Sequence, residues 1–196
     1  MDRKICLFVL LAFLPLIAFC SKKLQLVAFE ENGIYGYKDQ NGKVQISPQY
    51  SISYDFNENG VGFAFGKDGW VCLDPQNKVL LNAFAFDNGP DEFSEGLARF
   101  VENSKFGFFD SSCKKVIEAN YDFAFQIQQG FSIVCNDCKS VSDGEHSRIE
   151  GGKYGLIDKT GKVVVPIEYD SLSEIDPETK TLKGSKGGTK KEIRLP

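Results

Sequence analysis

The sequence predicts an all-β protein of tandem repeats, with about three antiparallel strands per unit forming a curved β array. Three observations predict this. Phe occurs 17 times and Gly 19 times in 196 residues, against a single Met and a single Trp, a composition of strand and turn formers. A short aromatic-glycine segment that ends in Asp recurs along the chain, closing at Asp39, Asp74, Asp110 and Asp158. The steps between these Asp residues are 35, 36 and 48 residues, and periods of this size mark supersecondary units that bury their apolar faces on one another.

Ahead of the repeats stand a charged head, Met1-Asp2-Arg3-Lys4, and a 15-residue apolar run from Ile5 to Phe19. A membrane-spanning helix needs about 20 apolar residues, so this run has the size of a signal-peptide core. Residues 1–20 are therefore expected to direct export, to the periplasm or the cell surface. The run ends on Leu16-Ile17-Ala18-Phe19-Cys20, which resembles a bacterial lipobox, where the Cys becomes a lipid-bearing N-terminus. Cys20 is accordingly the expected lipidation site and the only expected membrane contact. Phe19 departs from the small residue usual at that position, and ordinary cleavage after Cys20 is the alternative.

Without residues 1–20 the chain has 21 basic and 26 acidic residues, a net charge of about −5. Six cations (Lys180, Lys183, Lys186, Lys190, Lys191 and Arg194) face Glu192 alone at the C-terminal end, which leaves Ser21 to Thr179 at about −10. Such a body repels nucleic acid. The Lys-rich end reads as a solvated strand that guards a sheet edge.

Each unit divides into three strands. The first is Ile34-Tyr35-Gly36-Tyr37-Lys38-Asp39, Gly69-Trp70-Val71-Cys72-Leu73-Asp74, Lys105-Phe106-Gly107-Phe108-Phe109-Asp110 or Lys153-Tyr154-Gly155-Leu156-Ile157-Asp158. A turn follows, with Gly42 or Gly161 where a short hairpin loop needs positive φ. The recurring Asp is expected to satisfy backbone donors in that turn. The return strand is Val-rich, closed by Pro48 or Pro166, and the unit ends at Tyr50, Phe86-Asp87, Tyr121-Asp122 or Tyr169-Asp170. A third strand precedes the next aromatic, as in Gly60 to Phe65, Gly96 to Val101 and Gly130 to Val134. Leu24 to Phe29 and Lys191 to Leu195 read as half-units that cap the array, or else close on each other into a propeller-like ring. The domain expectation is one β-repeat domain over 21–196, with units near 32–65, 66–101, 103–134 and 153–185 and an insertion loop over 135–152.

These residues resemble the WG-repeat family of bacterial proteins, whose unit runs Trp-Gly-hydrophobic-Ile-Asp, a Gly-Lys turn, Val-Val-Ile-Pro and Tyr-Asp. Tyr35, Phe106 and Tyr154 replace the Trp, and the second copy keeps Trp70 but has Val71 for Gly. The resemblance implies a repeat fold and no shared activity. Tyr35, Trp70, Phe106 and Tyr154 are expected to serve as packing anchors.

No catalytic constellation is legible, and no cofactor is expected. Cys135 and Cys138 form a C-x-x-C in the insertion, read first as a disulfide, with a redox pair or a metal site as alternatives. Zinc would require Cys135, Cys138 and His146 with Asp143 or Glu145, and no second C-x-x-C is present. His146, the one His, lies in a Gly- and Ser-rich segment expected to be mobile, a poor place for a Ser-His-Asp set. Cys72 and Cys113 fall at unrelated repeat positions and are not expected to pair. The functional expectation is a binding or scaffolding protein of the envelope that holds a protein or glycan, with a redox or metal-handling factor centred on Cys135 and Cys138 as the alternative.

Overall fold

The computed structural model describes residues 25–144 and 146–196; residues 1–20, with the export and Cys20 readings, lie outside them. The strands are β1 (Val27–Glu31), β2 (Ile34–Lys38), β3 (Val44–Tyr50), β4 (Ile52–Ser53), β5 (Gly62–Gly66), β6 (Gly69–Leu73), β7 (Val79–Asn82), β8 (Ala85–Phe86), β9 (Gly89–Pro90) and β10 (Leu97–Glu102). They continue with β11 (Lys105–Asp110), β12 (Lys115–Tyr121), β13 (Phe123–Ala124), β14 (Phe131–Asp143), β15 (His146–Asp158), β16 (Val163–Tyr169), β17 (Ser171–Leu172), β18 (Thr181–Lys186) and β19 (Thr189–Arg194). No helix occurs among the described residues.

Sequential antiparallel pairing makes five main sheets, β1-β2-β3, β4-β5-β6-β7, β10-β11-β12, β13-β14-β15-β16 and β17-β18-β19, with β8-β9 as a small hairpin before the third. A sheet therefore straddles two sequence units: the third strand of one unit pairs with the first strand of the next, as Phe100 with Gly107 and Val134 with Gly155. The terminal half-units complete the end sheets, with β1 on β2 and β19 on β18.

Four apolar cores lie between consecutive sheets. Tyr37, Ile46, Tyr50, Ala64, Val71 and Leu73 join the first to the second; Trp70, Cys72, Leu81, Phe100 and Phe109 the second to the third. Phe108, Ile117, Tyr121, Val134 and Ile157 join the third to the fourth, and Leu156, Val165, Tyr169 and Leu182 the fourth to the fifth. Strand alternation sends neighbouring residues to opposite faces. Tyr37, Cys72, Phe108 and Leu156 thus face the following sheet, while Leu73, Phe109 and Ile157 face the preceding one.

The same two positions decide between an open stack and a ring. In the first sheet the residue equivalent to Leu73, Phe109 and Ile157 is Lys38; in the last, the residue equivalent to Tyr37, Cys72, Phe108 and Leu156 is the exposed Glu192. Both outer faces are charged where every interior one is apolar, so the array is open.

The Gly of the repeat follows from register. Tyr35 pairs with Tyr50 but Tyr37 with Ile46, so the return strand carries a bulge opposite Gly36, and the same irregularity recurs at Gly107 and Gly155. A Cβ at Gly107 would lie 2.5 Å from the Ile117 carbonyl oxygen, and one at Gly155 2.7 Å from that of Val165. In the second unit Val71 and Cys72 pair in step with Asn82 and Leu81, and a Val is accommodated. That unit also carries an extra residue before its end. Phe86 accordingly does not take the place of the buried Tyr50, Tyr121 and Tyr169; it stands exposed at the β8-β9 turn, where Asp87 and Asn88 have positive φ.

The recurring Asp does in each copy what the turn requires. The Oδ1 of Asp39 accepts from the N–H of Asn41 and Lys43, that of Asp74 from Gln76 and Lys78, that of Asp110 from Ser112 and Lys114, and that of Asp158 from Thr160 and Lys162, all at 2.9–3.0 Å. The Lys43 N–H is the main cause holding the Asp39 carboxyl below the usual range. Partial burial opposes this at Asp110, but the Ser112 hydroxyl and the turn N–H groups outweigh it. At Asp158 the Thr160 hydroxyl leads. A carboxylate with a folded pKa below its unfolded value contributes stability above the unfolded pKa and loses it as pH falls through the folded one. The melting temperature is therefore expected to hold from pH 7 to 5 and to fall below about pH 4, as a pH series of thermal melts would record.

Two sequence expectations are corrected. Residues 135–152 are not an insertion loop: β14 and β15, of 13 residues each, continue as one paired hairpin, with Cys138 opposite Gly151 and Ser142 opposite Ser147. Pairing already set by the lower halves of the two strands outweighs the weak intrinsic preference of Ser and Gly. Cys72 and Cys113 are joined by a disulfide, with Cα atoms 6.4 Å apart. The stacking sets the turn of one unit on the first strand of the unit before it, so unequal repeat positions become neighbours. Cys113 occupies the positive-φ turn position of Gly42, Asn77 and Gly161.

Cys135 and Cys138 are also joined, with Cα atoms 6.0 Å apart. The two bridges close loops of very different length, 41 against 3 residues of separation. Loop-closure entropy then assigns about 4 kcal/mol to the first and about 2 kcal/mol to the second. Replacing Cys72 and Cys113 by Ala is expected to lower the denaturation midpoint about twice as far as the same change at Cys135 and Cys138, in urea titrations of the two variants.

Candidate functional site

A groove of about 1110 Å³ runs across the third, fourth and fifth sheets. It follows the edge where β8, β13 and β17 lie, and the upper half of the long hairpin forms one wall through Ser140, Ser147 and Ile149. Its lining is rich in aromatic rings: Phe84, Phe86, Phe106, Phe123, Phe125, Phe131 and Tyr154. Phe84 packs edge-on to Phe106 at 4.9 Å, Phe106 against Phe123 at 4.8 Å, and Phe123 edge-on to Phe125 at 5.1 Å, in the arrangement that ring quadrupoles favour. Phe86 and Phe125 remain 54% and 39% exposed, so the row of rings ends in accessible apolar surface.

Beneath the rings lies a buried ion pair. Asp91 and Arg99 have side-chain exposures of 0% and 5% and approach to 2.6 Å. Asp91 accepts from Nε and an η nitrogen of Arg99, from the Arg99 backbone N–H, and from Gln126; the other Arg99 η nitrogen donates to the Ala124 carbonyl. The guanidinium lies 4.7 Å from the Phe84 centroid, 5.6 Å from that of Phe86 and 5.9 Å from that of Phe123, within cation–π range. Its charge is thus neutralised by Asp91 and its planes are covered by rings. This pair holds the third sheet to the start of the fourth and fixes the groove floor.

Two further ion pairs flank the site. Asp122 accepts from the Lys105 ammonium at 2.6 Å and from the Asp137 N–H at 2.7 Å, contacts that hold its carboxyl below the usual range, the lysine leading. Asp170 is held down likewise, first by Lys153 and then by the Gly187 N–H. The second Asp of the unit therefore ties the first strand of its own unit to the next hairpin. Asp87 and Glu174, also lining the groove, are exposed and make no ion pair among the described residues.

Of the expected anchors, Trp70 is buried, 5.4 Å from both the parallel ring of Tyr54 and the edge-on ring of Phe65. Phe106 is buried, whereas Tyr35 and Tyr154 are half-buried and Tyr154 lines the groove. Deeper residues of the first strand stand two and three places further on: Tyr37, Cys72, Phe108 and Leu156, and Leu73, Phe109 and Ile157, all at 0% exposure. Cys135 and Cys138 are buried at 0% and 8% and bonded to each other, so no free thiol is presented there. The side chains of Asp143, Glu145 and His146, needed for the zinc and triad readings, lie outside the described residues.

Sequence reading missed Asp91, Arg99 and the groove. The signal was present in Gly96-Leu97-Ala98-Arg99-Phe100-Val101, where a cation interrupts an apolar strand; where third strands are buried on both faces, such a residue requires a buried counter-charge.

No curated protein and no solved structure matches the chain. The family described as WG containing repeat matches residues 35–69, 106–139 and 154–176. These matches open on Tyr35, Phe106 and Tyr154, the three copies whose aromatic is followed by Gly and whose return strand bulges to meet it; none opens on the second copy, where Val71 stays in step with its partner. On that agreement of repeat spacing, bulge and turn, the chain belongs to the WG-repeat family.

Proposed function

We propose that this protein is an exported binding or scaffolding module of the cell envelope, which holds a protein or glycan in the groove across its third to fifth sheets. The observation that carries the reading is the row of rings ending in exposed Phe86 and Phe125, because contiguous exposed aromatic surface in a concavity marks a binding site. Stacked repeats offer such extended surfaces without altering the core. Two disulfides favour an oxidising compartment, which supports export, with Cys20 as the lipid-bearing residue. Cys20→Ala is expected to move the protein from the detergent phase to the aqueous phase; unchanged partitioning would remove the anchor.

The mature protein presented to arrays of peptides and glycans is expected to give a signal that a Phe86→Ser/Phe125→Ser variant loses with its circular dichroism spectrum unchanged. A signal that survives in this variant would place the ligand elsewhere.

A further inference from the structure

We infer that the occupant of the groove is an extended polypeptide segment that combines large apolar side chains with Lys or Arg. This rests on the binding reading above and specifies the ligand class. Shape supports it, since the groove crosses three sheets and exceeds the roughly 300–1,000 Å³ of a compact small-molecule pocket.

Chemistry favours apolar side chains at the rings. Six of the seven aromatic rings lining the groove are Phe, with no hydrogen-bonding group, and the single Trp is buried elsewhere under Tyr54. The polar groups nearest the rings are already engaged: the Arg99 guanidinium with Asp91 and Ala124, and Gln126 with Asp91. The ring surface thus suits aliphatic or aromatic side chains, and the polar lining groups Asp87, Gln128, Ser140, Ser147 and Glu174 lie around it, where the backbone and cations of a peptide would meet them.

Charge selects among peptides. Arg99, Asp122 and Arg148 are each ion-paired, with Asp91, Lys105 and Glu150. Among the described residues, the lining carboxylates outside any ion pair are therefore those of Asp87 and Glu174. They sit in a chain of net charge about −5 without residues 1–20, and at the groove itself these two carboxylates attract cations and repel acidic segments.

Three probes test this on the mature protein: a nonapeptide of alternating Phe and Leu flanked by Lys, the same peptide flanked by Glu, and a chitin hexasaccharide, each titrated calorimetrically. The Lys peptide is expected to bind roughly tenfold more tightly than the Glu peptide, since two solvated charges contribute modestly. That ratio is expected to shrink at high salt and to invert in an Asp87→Lys/Glu174→Lys variant. Equal affinities, or preference for the Glu peptide, would overturn the inference. Binding of the hexasaccharide alone, abolished by Phe125→Ala, would overturn the ligand class while leaving the groove as the site; binding by none of the three would sink both.

Discussion

Asp91→Ala is expected to destabilise the protein by about 3–5 kcal/mol, because it strands the Arg99 guanidinium in the interior without its counter-charge. The fold-wide consequence follows from place: Asp91 bonds the Arg99 side chain and backbone at once, and Arg99 reaches across to Ala124 in the next sheet. A converse substitution separates charge burial from packing. Asp91→Leu combined with Arg99→Met removes both charges together and is expected to cost far less than Asp91→Ala alone, since buried pairs replaced by apolar residues are often near neutral. Urea denaturation of the two variants supplies the comparison; equal losses would mean that the site matters for shape and not for charge.

Trp70→Ala is expected to cost about 3–5 kcal/mol as well, through lost apolar burial and the cavity left between the second and third sheets. In a chain of this length that corresponds to a fall in melting temperature of roughly 6–20 °C. The effect should spread beyond the mutated unit, because Trp70 packs with Phe100 and Phe109 of the next sheet and each sheet is stabilised mainly through its neighbours. A loss confined to well under 1 kcal/mol in a thermal melt would show that the ring is not part of the core.

Much of this architecture was legible in the residues. The Asp of each copy reported its turn because only a side-chain acceptor two and four residues ahead of the N–H groups could satisfy them. The Gly after the aromatic recurs in three copies, but its reason, close backbone approach at a bulge, came only with the register, and the copy with Val71 lacks that bulge. The open end faces were also written in the sequence, as Lys38 and Glu192 at positions otherwise apolar. They become readable only once the sheet is known to straddle two units, an offset that spacing does not reveal.

Other features depend on that offset or on long-range pairing. The Cys72–Cys113 bridge links unequal repeat positions, so comparison of copies argues against it. The hairpin over 135–152 has a loop-like composition and is strand because the strands beneath it set its register. The groove draws on residues from Phe84 to Ile175, no two neighbouring clusters of which suggest a site alone; Arg99 in an apolar strand was the single local clue.

In the function proposed above, the buried Trp70 holds the array together while the exposed Phe86 and Phe125 meet the ligand. The most direct test measures melting temperature and affinity for the Lys-flanked peptide side by side in Trp70→Ala and Phe125→Ala. Trp70→Ala is expected to lower the melting temperature and to weaken binding only in proportion to unfolding, while Phe125→Ala leaves the melting temperature within about 2 °C, as surface substitutions do, and abolishes binding. A Trp70→Ala protein that melts normally but no longer binds, or a Phe125→Ala protein that binds undiminished, would contradict it.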